Sequence, residues 1–332
     1  MNRVPGAQGA YDWFGFALVA GQTSGGEPFI VVGAPGDDVG GVIDAGTATY
    51  IRGEHRIAME QSIVSGQSNE TDDRFGTAVA ATGNQLAISM PGESGSAATQ
   101  FAGRVCTFRH TITNNRLELL MCISQSDFGV NGFEAGDEFG KSISMAPYRT
   151  IAGGPIDSIL LVGAPGEDDA GFDDTGVVHF YKVTGSAVSL LSTNWKAGRQ
   201  TGDRFGEKTL VVNLDPTTVV TDAKLVAAVG APGTDAGGNL LDSGEVRVFP
   251  AGRTGTLTYD VAVRPGTAAA RTLIGVAVGG NGTHLFAPSV YQGMKSLYAI
   301  RWTDLVAGSA AVDAAATVVA PTGSIAFGAQ AG

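Results

Sequence analysis

Three loops in this chain concentrate carboxylates at short spacing with glycines between them. They read "GDDVGGVIDAG" with Asp37, Asp38 and Asp44, "GEDDAGFDDTG" with Asp168, Asp169, Asp173 and Asp174, and "GTDAGGNLLDSG" with Asp235 and Asp242. Carboxylates grouped on Gly-rich loops suit Ca²⁺, a hard cation that takes about six to eight oxygen ligands. The same residues have a plainer use, since Asp ahead of Gly forms Asx-turns and satisfies loop N–H groups. The turn role is the first expectation, and Ca²⁺ is the one cofactor these loops would suit. Asp73, Asp137 and Asp203 each stand two residues before a Phe-Gly pair. Their recurrence fits a repeated turn or strand cap better than a ligand set.

Other reactive patterns are scarce. His55, His110, His179 and His284 share no motif, and the chain has no His-x-x-x-His, no Gly-x-Ser-x-Gly and no phosphate loop. The expectation is a protein that is not an enzyme. Trp13, Phe172 and Trp195 fall in or near loops, where aromatic side chains can anchor a partner or pack between elements. Asn69 in "NET" and Asn281 in "NGT" match the glycosylation sequon.

The charge balance narrows the partners. Among 332 residues, 21 Lys and Arg face 32 Asp and Glu, a formal net charge of -11. Such a surface disfavours nucleic acid and anionic membranes. No apolar run reaches the roughly 18 residues of a membrane span, so direct membrane insertion is not expected. The opening "MNRVPGAQGA" lacks the apolar stretch of a signal peptide. Either the protein is not exported by that route or a segment has been removed ahead of it.

Cys106 and Cys122 flank "TFRHTITNNRLELLM", which reads as two strands around a turn at Thr113 to Asn115. A three-residue loop would set the sulfurs opposite each other, and a change of one residue would put them on opposite faces. A disulfide and a pair of buried thiols are both open. A disulfide would imply an oxidising compartment.

The elements that must hold these residues come from repeats. Phe-Gly occurs at Phe14-Gly15, Phe75-Gly76, Phe139-Gly140 and Phe205-Gly206. Each pair precedes an alternating run such as "FALVA" or "TAVAA". A second run then ends at Gly33-Ala34-Pro35, Gly163-Ala164-Pro165 or Gly230-Ala231-Pro232, and at Ser89-Met90-Pro91 in the second repeat. A loop, a glycine and two further short runs complete the pattern. A fifth, degraded repeat has Ile274-Gly275 and Ala287-Pro288 in the matching places, and Phe327-Gly328 follows it. The repeats span 11–70, 71–135, 136–200, 201–268 and 269–326, with a closing segment 327–332. Four short strands per repeat predict an all-β chain, a β-propeller of five four-stranded antiparallel blades in one domain over 1–332. In that arrangement Gly permits close backbone approach, Phe fills the wedge between neighbouring blades, and Pro ends the second strand.

Phe-Gly followed by Gly-Ala-Pro in a repeat of this length resembles the FG-GAP repeat of integrin α-chain propellers and many bacterial extracellular proteins. The resemblance runs strongly through the first, third and fourth repeats, moderately through the second and weakly through the fifth. It implies an extracellular or cell-surface module that recognises a protein or glycan through loops on one propeller face, here the loops after Gly-Ala-Pro. Two alternatives stand beside it. One is a structural subunit of a larger assembly such as a surface layer, filament, appendage or virion, suggested by the low-charge fifth repeat. The other is an accessory propeller of an enzyme encoded in a longer chain. The family's Asp-x-Asp-x-Asp-Gly calcium loop between the first and second strands is absent here, so that site is not carried over. Family propellers often have seven blades, and six or seven would follow if further repeats lie outside the chain.

Overall fold

The computed structural model describes residues 11–319 except 97, 130, 131, 133, 238, 239, 266–268 and 291–295. The closing segment 327–332, with Phe327-Gly328, lies outside the described residues. The fold is all-β, with five four-stranded antiparallel sheets in chain order, one per repeat, as in a five-bladed β-propeller. The first sheet is β1 (Ala17–Gln22), β2 (Pro28–Ala34), β3 (Thr47–Arg52) and β4 (His55–Met59). The second is β5 (Val79–Ala81), β6 (Gln85–Met90), β7 (Arg104–Thr113) and β8 (Arg116–Ile123). The third is β9 (Ser142–Tyr148), β10 (Asp157–Ala164), β11 (Val177–Val183) and β12 (Val188–Trp195). The fourth is β13 (Lys208–Asn213), β14 (Leu225–Ala231), β15 (Glu245–Pro250) and β16 (Val261–Val263). The fifth is β17 (Gly279–Gly280), β18 (His284–Ser289), β19 (Ser296–Arg301) and β20 (Val318–Val319).

The chain forms two compact units, Met1–Val162 with Tyr181–Leu190, and Gly163–Phe180 with Leu191–Gly332. The first holds the first two sheets. Its core joins Val31, Tyr50, Met59, Phe75, Leu86, Ile88 and Phe108. The second holds the last two sheets, with a core that includes Val226, Val248, Leu285, Ile300 and Trp302. The residues of the third sheet fall partly in each.

β6, β10 and β14 are buried along both faces, so they read as apolar runs instead of alternating ones. β2, β6, β10 and β14 all end one residue before Pro35, Pro91, Pro165 and Pro232. Proline has no N–H to continue the ladder. In the fifth repeat Pro288 instead sits inside β18, opposite Leu297. The fourth run of the first repeat, "RIAMEQSIV", breaks after Met59, and Gln61–Ser65 forms a helical turn (α1) closed by Gly66 at φ 72°.

The two recurrent motifs dock onto each other. Phe75, Phe139 and Phe205 are fully buried. Their backbones lie on Gly46, Gly103 and Gly176, the glycines that precede the third strand of the preceding repeat, and no side chain would fit there. Gly76 packs on Gly33, Gly206 on Gly163 and Gly275 on Gly230 in the same way. Phe14 departs from the expectation. Its side chain is 40% exposed.

Cys106 and Cys122 face each other across β7 and β8 and form a disulfide, with Cα atoms 3.9 Å apart. The turn is not the three-residue loop of the sequence reading. Asn114 and Asn115, at φ 52° and 57°, make a two-residue turn between Thr113 and Arg116. Two positive φ values in a row are the pattern of a type I′ hairpin turn. Register shifts between Arg109 and Ile112 and between Thr107 and Phe108 then restore the alignment that brings the cysteines opposite.

Candidate functional site

The acidic loops turn their carboxylates inward on their own backbones. Asp38, Asp168 and Asp235 each accept the N–H of the Asp that closes the loop, Asp44, Asp174 and Asp242, at 3.0, 2.7 and 2.9 Å. Those three closing residues adopt left-handed conformations near φ 50°, which Asp tolerates better than most side chains. Asp37 accepts the Thr47 hydroxyl at 2.8 Å. Burial raises the Asp37 pKa, the Thr47 bond opposes the rise, and the nearby Asp12, Asp38 and Glu60 charges add to it. Asp169 pairs with Arg199 at 2.7 Å, and the Asp173 carbonyl accepts from Gly202. No three acidic, histidine or cysteine side chains gather as a metal set among the described residues.

Asp73, Asp137 and Asp203 are buried turn caps. Each accepts through Oδ2 the N–H three residues upstream, from Glu70, Glu134 and Gln200, at 2.5, 3.0 and 2.6 Å. Asp73 lies near Glu93. Burial, and then the Glu93 and Glu70 charges against the Glu70 hydrogen bond, push its pKa up to about 8. Asp203 also accepts the Thr234 hydroxyl at 2.7 Å and meets the Lys196 ammonium at 3.2 Å. The same ammonium reaches Glu245 at 3.6 Å, and all three side chains are buried. Sequence reasoning passed over Lys196 and Glu245, because nothing in "NWKAG" or "GEVRVF" marks a buried charge.

A recess of about 720 Å³ lies within the first compact unit, at the end of the strands opposite the loop of Asp37, Asp38 and Asp44. Its walls are the first-to-second strand turns of three sheets, at Thr23–Gly25, Gly83–Gln85 and Pro155–Asp157, with third-strand ends and turns at Arg52, Arg109–Ile112 and Gly185. Side chains tie these turns together. Asn84 donates to the Ile156 carbonyl at 2.6 Å, Ser158 donates to Gln85 at 2.5 Å, and Thr82 bonds Ser158 at 2.6 Å. Arg52 donates to the His110 carbonyl at 2.7 Å and pairs with Glu27 at 3.4 Å. Arg109 pairs with Glu118, and Asp157 with Lys182.

His110 at this rim is fixed in one state. Nε2 sits 2.9 Å from the Thr82 carbonyl, which can only accept, so Nε2 carries the proton. Nδ1 therefore accepts from the Tyr50 hydroxyl at 2.9 Å. Burial lowers the pKa of the imidazole and keeps it neutral. Both ring nitrogens are engaged, which leaves no lone pair for a base. His179 is buried and bonded to Thr193, its pKa lowered to about 3 by burial. His284 meets Asp313 at 3.3 Å, and His55 ends the turn opposite Arg52.

The aromatic candidates are scattered. Trp13 and Phe172 are half exposed, and Trp195 carries the Arg199 guanidinium over its ring at 5.1 Å. Both sequon amides are engaged in their own loops, Asn69 with Ser62 and Glu60, and Asn281 with Thr283 and His284.

No family model matches the chain, and no curated protein matches it. The propeller class therefore stands on the five sheets, and the FG-GAP resemblance on the motifs themselves. Among solved structures, the chain is similar to Sqt1 of Saccharomyces cerevisiae at 12% identity and TM-score 0.42, over 93% of this chain and 76% of that one. A propeller of this kind is a scaffold whose inter-strand turns can bind protein partners.

Proposed function

We propose that this chain is a non-catalytic FG-GAP-type binding module, displayed outside the cell, that engages a protein or glycan through the turns around the recess. The observation that carries this reading is the recess itself. Its rim mixes guanidinium, amide, hydroxyl and carboxylate groups with Pro155, Ile156 and Ile112, on turns cross-tied by hydrogen bonds. Preorganised polar groups beside a few apolar side chains suit recognition. The fixed tautomer of His110 supports the non-catalytic part. This reading puts the working surface at the turns around the recess, and the loops after Gly-Ala-Pro, the choice from the sequence, stand as its alternative.

The test is a binding screen of the whole chain against glycan arrays and displayed extracellular protein domains. Any ligand found is re-measured with Asn84→Ala, Arg109→Glu, and Asp38→Ala with Asp169→Ala. Loss of at least about tenfold with the recess variants, and not with the acidic-loop variants, is expected for a contact of about 1.4 kcal/mol or more. The reverse pattern would move the working surface back to the loops after Gly-Ala-Pro. A second reading, the structural subunit of a larger assembly, is favoured by the exposed Tyr11, Phe16 and Leu18. Sedimentation showing a stable, defined oligomer at micromolar concentration would establish it.

A further inference from the structure

One amine of this chain is held against a carboxyl group in a dry interior. Lys196 directly follows β12, and its ammonium lies 3.2 Å from Asp203 Oδ2 and 3.6 Å from Glu245 Oε1. All three side chains are buried, and all three belong to the second compact unit. Side chains of these types are fully buried only when paired, and the pairing still carries a large desolvation cost. The surroundings are apolar. Trp195, Phe205 and Phe249 share with Lys196 the wall of a cavity of about 10 Å³, room for one water at most.

The other repeats show the same place without the amine. Just past their fourth strands the first and second repeats carry Gln61 and Gln125, both buried. Asp73 and Asp137 stand where Asp203 does, two residues before Phe-Gly. Gln61 donates to Glu93 at 2.5 Å. An uncharged amide therefore fills the position in two repeats. The third repeat puts a primary amine there, and Glu245 opens β15 where Arg104 opens β7. The amine and the second carboxylate bring chemistry that packing does not need.

We propose that Lys196 and Asp203 join in an intramolecular amide, with Glu245 as the proton carrier. The ion pair is the reactant state. The ammonium passes a proton to the Asp203 carboxylate, leaving a neutral amine and a carboxylic acid. The Nζ lone pair then attacks Cγ and forms the C–N bond, the step for which an amine held in contact is prepared. The Thr234 hydroxyl donates to Oδ1 at 2.7 Å and steadies the negative charge that gathers there. Glu245 takes a proton from the nitrogen of the tetrahedral intermediate and gives it to Oδ2, which faces the ammonium. The Cγ–Oδ2 bond breaks, one water leaves, and Glu245 ends as it began. A site with so little room for water favours condensation over its reversal. Arg247 and Arg264 face Glu245 and hold its carboxylate in place. The bond fastens the end of the third sheet to the Phe-Gly turn of the fourth. Removal of Lys196 leaves the Asp203 carboxyl buried and alone whether or not the amide has formed.

The experiment is intact mass spectrometry of the folded whole chain with its disulfide reduced. The parent should be one water lighter than its sequence. Trypsin should then fail to cut after Lys196 and release Val183–Arg199 joined to Gln200–Arg204 as one branched species. Lys196→Arg keeps a cation but no amine that can condense, and should show the full sequence mass. Glu245→Gln should form the bond about a hundredfold more slowly, the usual worth of a positioned proton carrier. The branched species is read in the parent, so the result stands even where a substitution unfolds the chain. A parent at full sequence mass, cut by trypsin after Lys196, would overturn the proposal. A water loss that persists in Lys196→Arg would place the dehydration elsewhere and overturn it equally. Undiminished bond formation in Glu245→Gln would overturn the role given to Glu245.

Discussion

Gly33 and Gly76 lie backbone against backbone, and a β-carbon on Gly33 would overlap the Gly76 carbonyl. Gly33 is the first residue of Gly-Ala-Pro in one repeat, and Gly76 is the second residue of Phe-Gly in the next. The two motifs are therefore two halves of one joint. Gly33 does not need a positive φ, so its requirement is for space alone. Gly33→Ala must push apart two backbones inside a close-packed core, which is expected to cost about 1–3 kcal/mol or more. Gly282→Ala, where a β-carbon meets nothing, should stay within about 0.5 kcal/mol of the parent. Urea midpoints of the two variants make the comparison, and equal midpoints would refute the joint.

The disulfide closes a hairpin with a sequence separation of 16. A loop of that length restricts the unfolded chain by about 3 kcal/mol in the chain-entropy account. Reduction, or replacement of Cys106 and Cys122 by Ser, should lower the melting temperature and leave the far-ultraviolet spectrum of the folded state unchanged. A melting temperature indifferent to reductant would show that the bond adds nothing to the native state.

Stability should depend on pH through Asp73. Its folded carboxyl keeps its proton up to about pH 8, while an unfolded Asp ionises near pH 3.9. Between these values the native state holds the extra proton, so stability falls as pH rises. The raised pKa of Glu93, caused first by burial, acts with the same sign. His179 acts the other way. Its pKa is lowered to about 3 against roughly 6.5 when unfolded, so its contribution rises with pH and is complete near neutrality. The two trends oppose each other below about pH 6.5, and the decline due to Asp73 is left uncovered from there to pH 8. Asn at position 73 can still accept the Glu70 N–H but cannot ionise. The stability of Asp73→Asn relative to the parent should therefore climb between pH 4 and 8, by at most about 1.4 kcal/mol per unit, and then level off. A difference that stays constant with pH would mean that Asp73 is ionised in the fold.

The strand plan was legible because it is written four times with the same punctuation. Pro35, Pro91, Pro165 and Pro232 stop their strands where a missing N–H must stop them. Phe75, Phe139 and Phe205 are buried where a wedge between sheets needs filling. Phe14 could not be told from them by type or spacing, since its exposure depends on what lies against it. The Asn114–Asn115 turn was misjudged by one residue, because register shifts inside the hairpin compensate for the shorter loop and leave no mark in the sequence. The recess was not legible at all. Thr23, Asn84 and Pro155 are ordinary turn residues in three different repeats, and only the arrangement of the sheets makes them neighbours.

Lys196 was equally silent, and its position yields the sharpest test of the interior. Its ammonium lies between Asp203 and Glu245, with all three side chains buried. Glu245 also meets Arg247 and Arg264, so removal of Lys196 leaves Asp203 as the carboxylate without a cation. Breaking a buried pair from one side costs about 3–5 kcal/mol, because the remaining charge stays buried. Lys196→Met should therefore destabilise the protein by that order. Asp203→Asn in the same chain removes the stranded charge and can keep both the Gln200 N–H and Thr234 hydroxyl bonds. The double variant should be more stable than Lys196→Met alone, although Asp203→Asn by itself destabilises the parent. Unfolding free energies of the four proteins form a double-mutant cycle, in which a large favourable coupling is expected. Additive losses would show that the ammonium and the carboxylate stabilise the interior independently, and that the charge at Asp203 does not require Lys196.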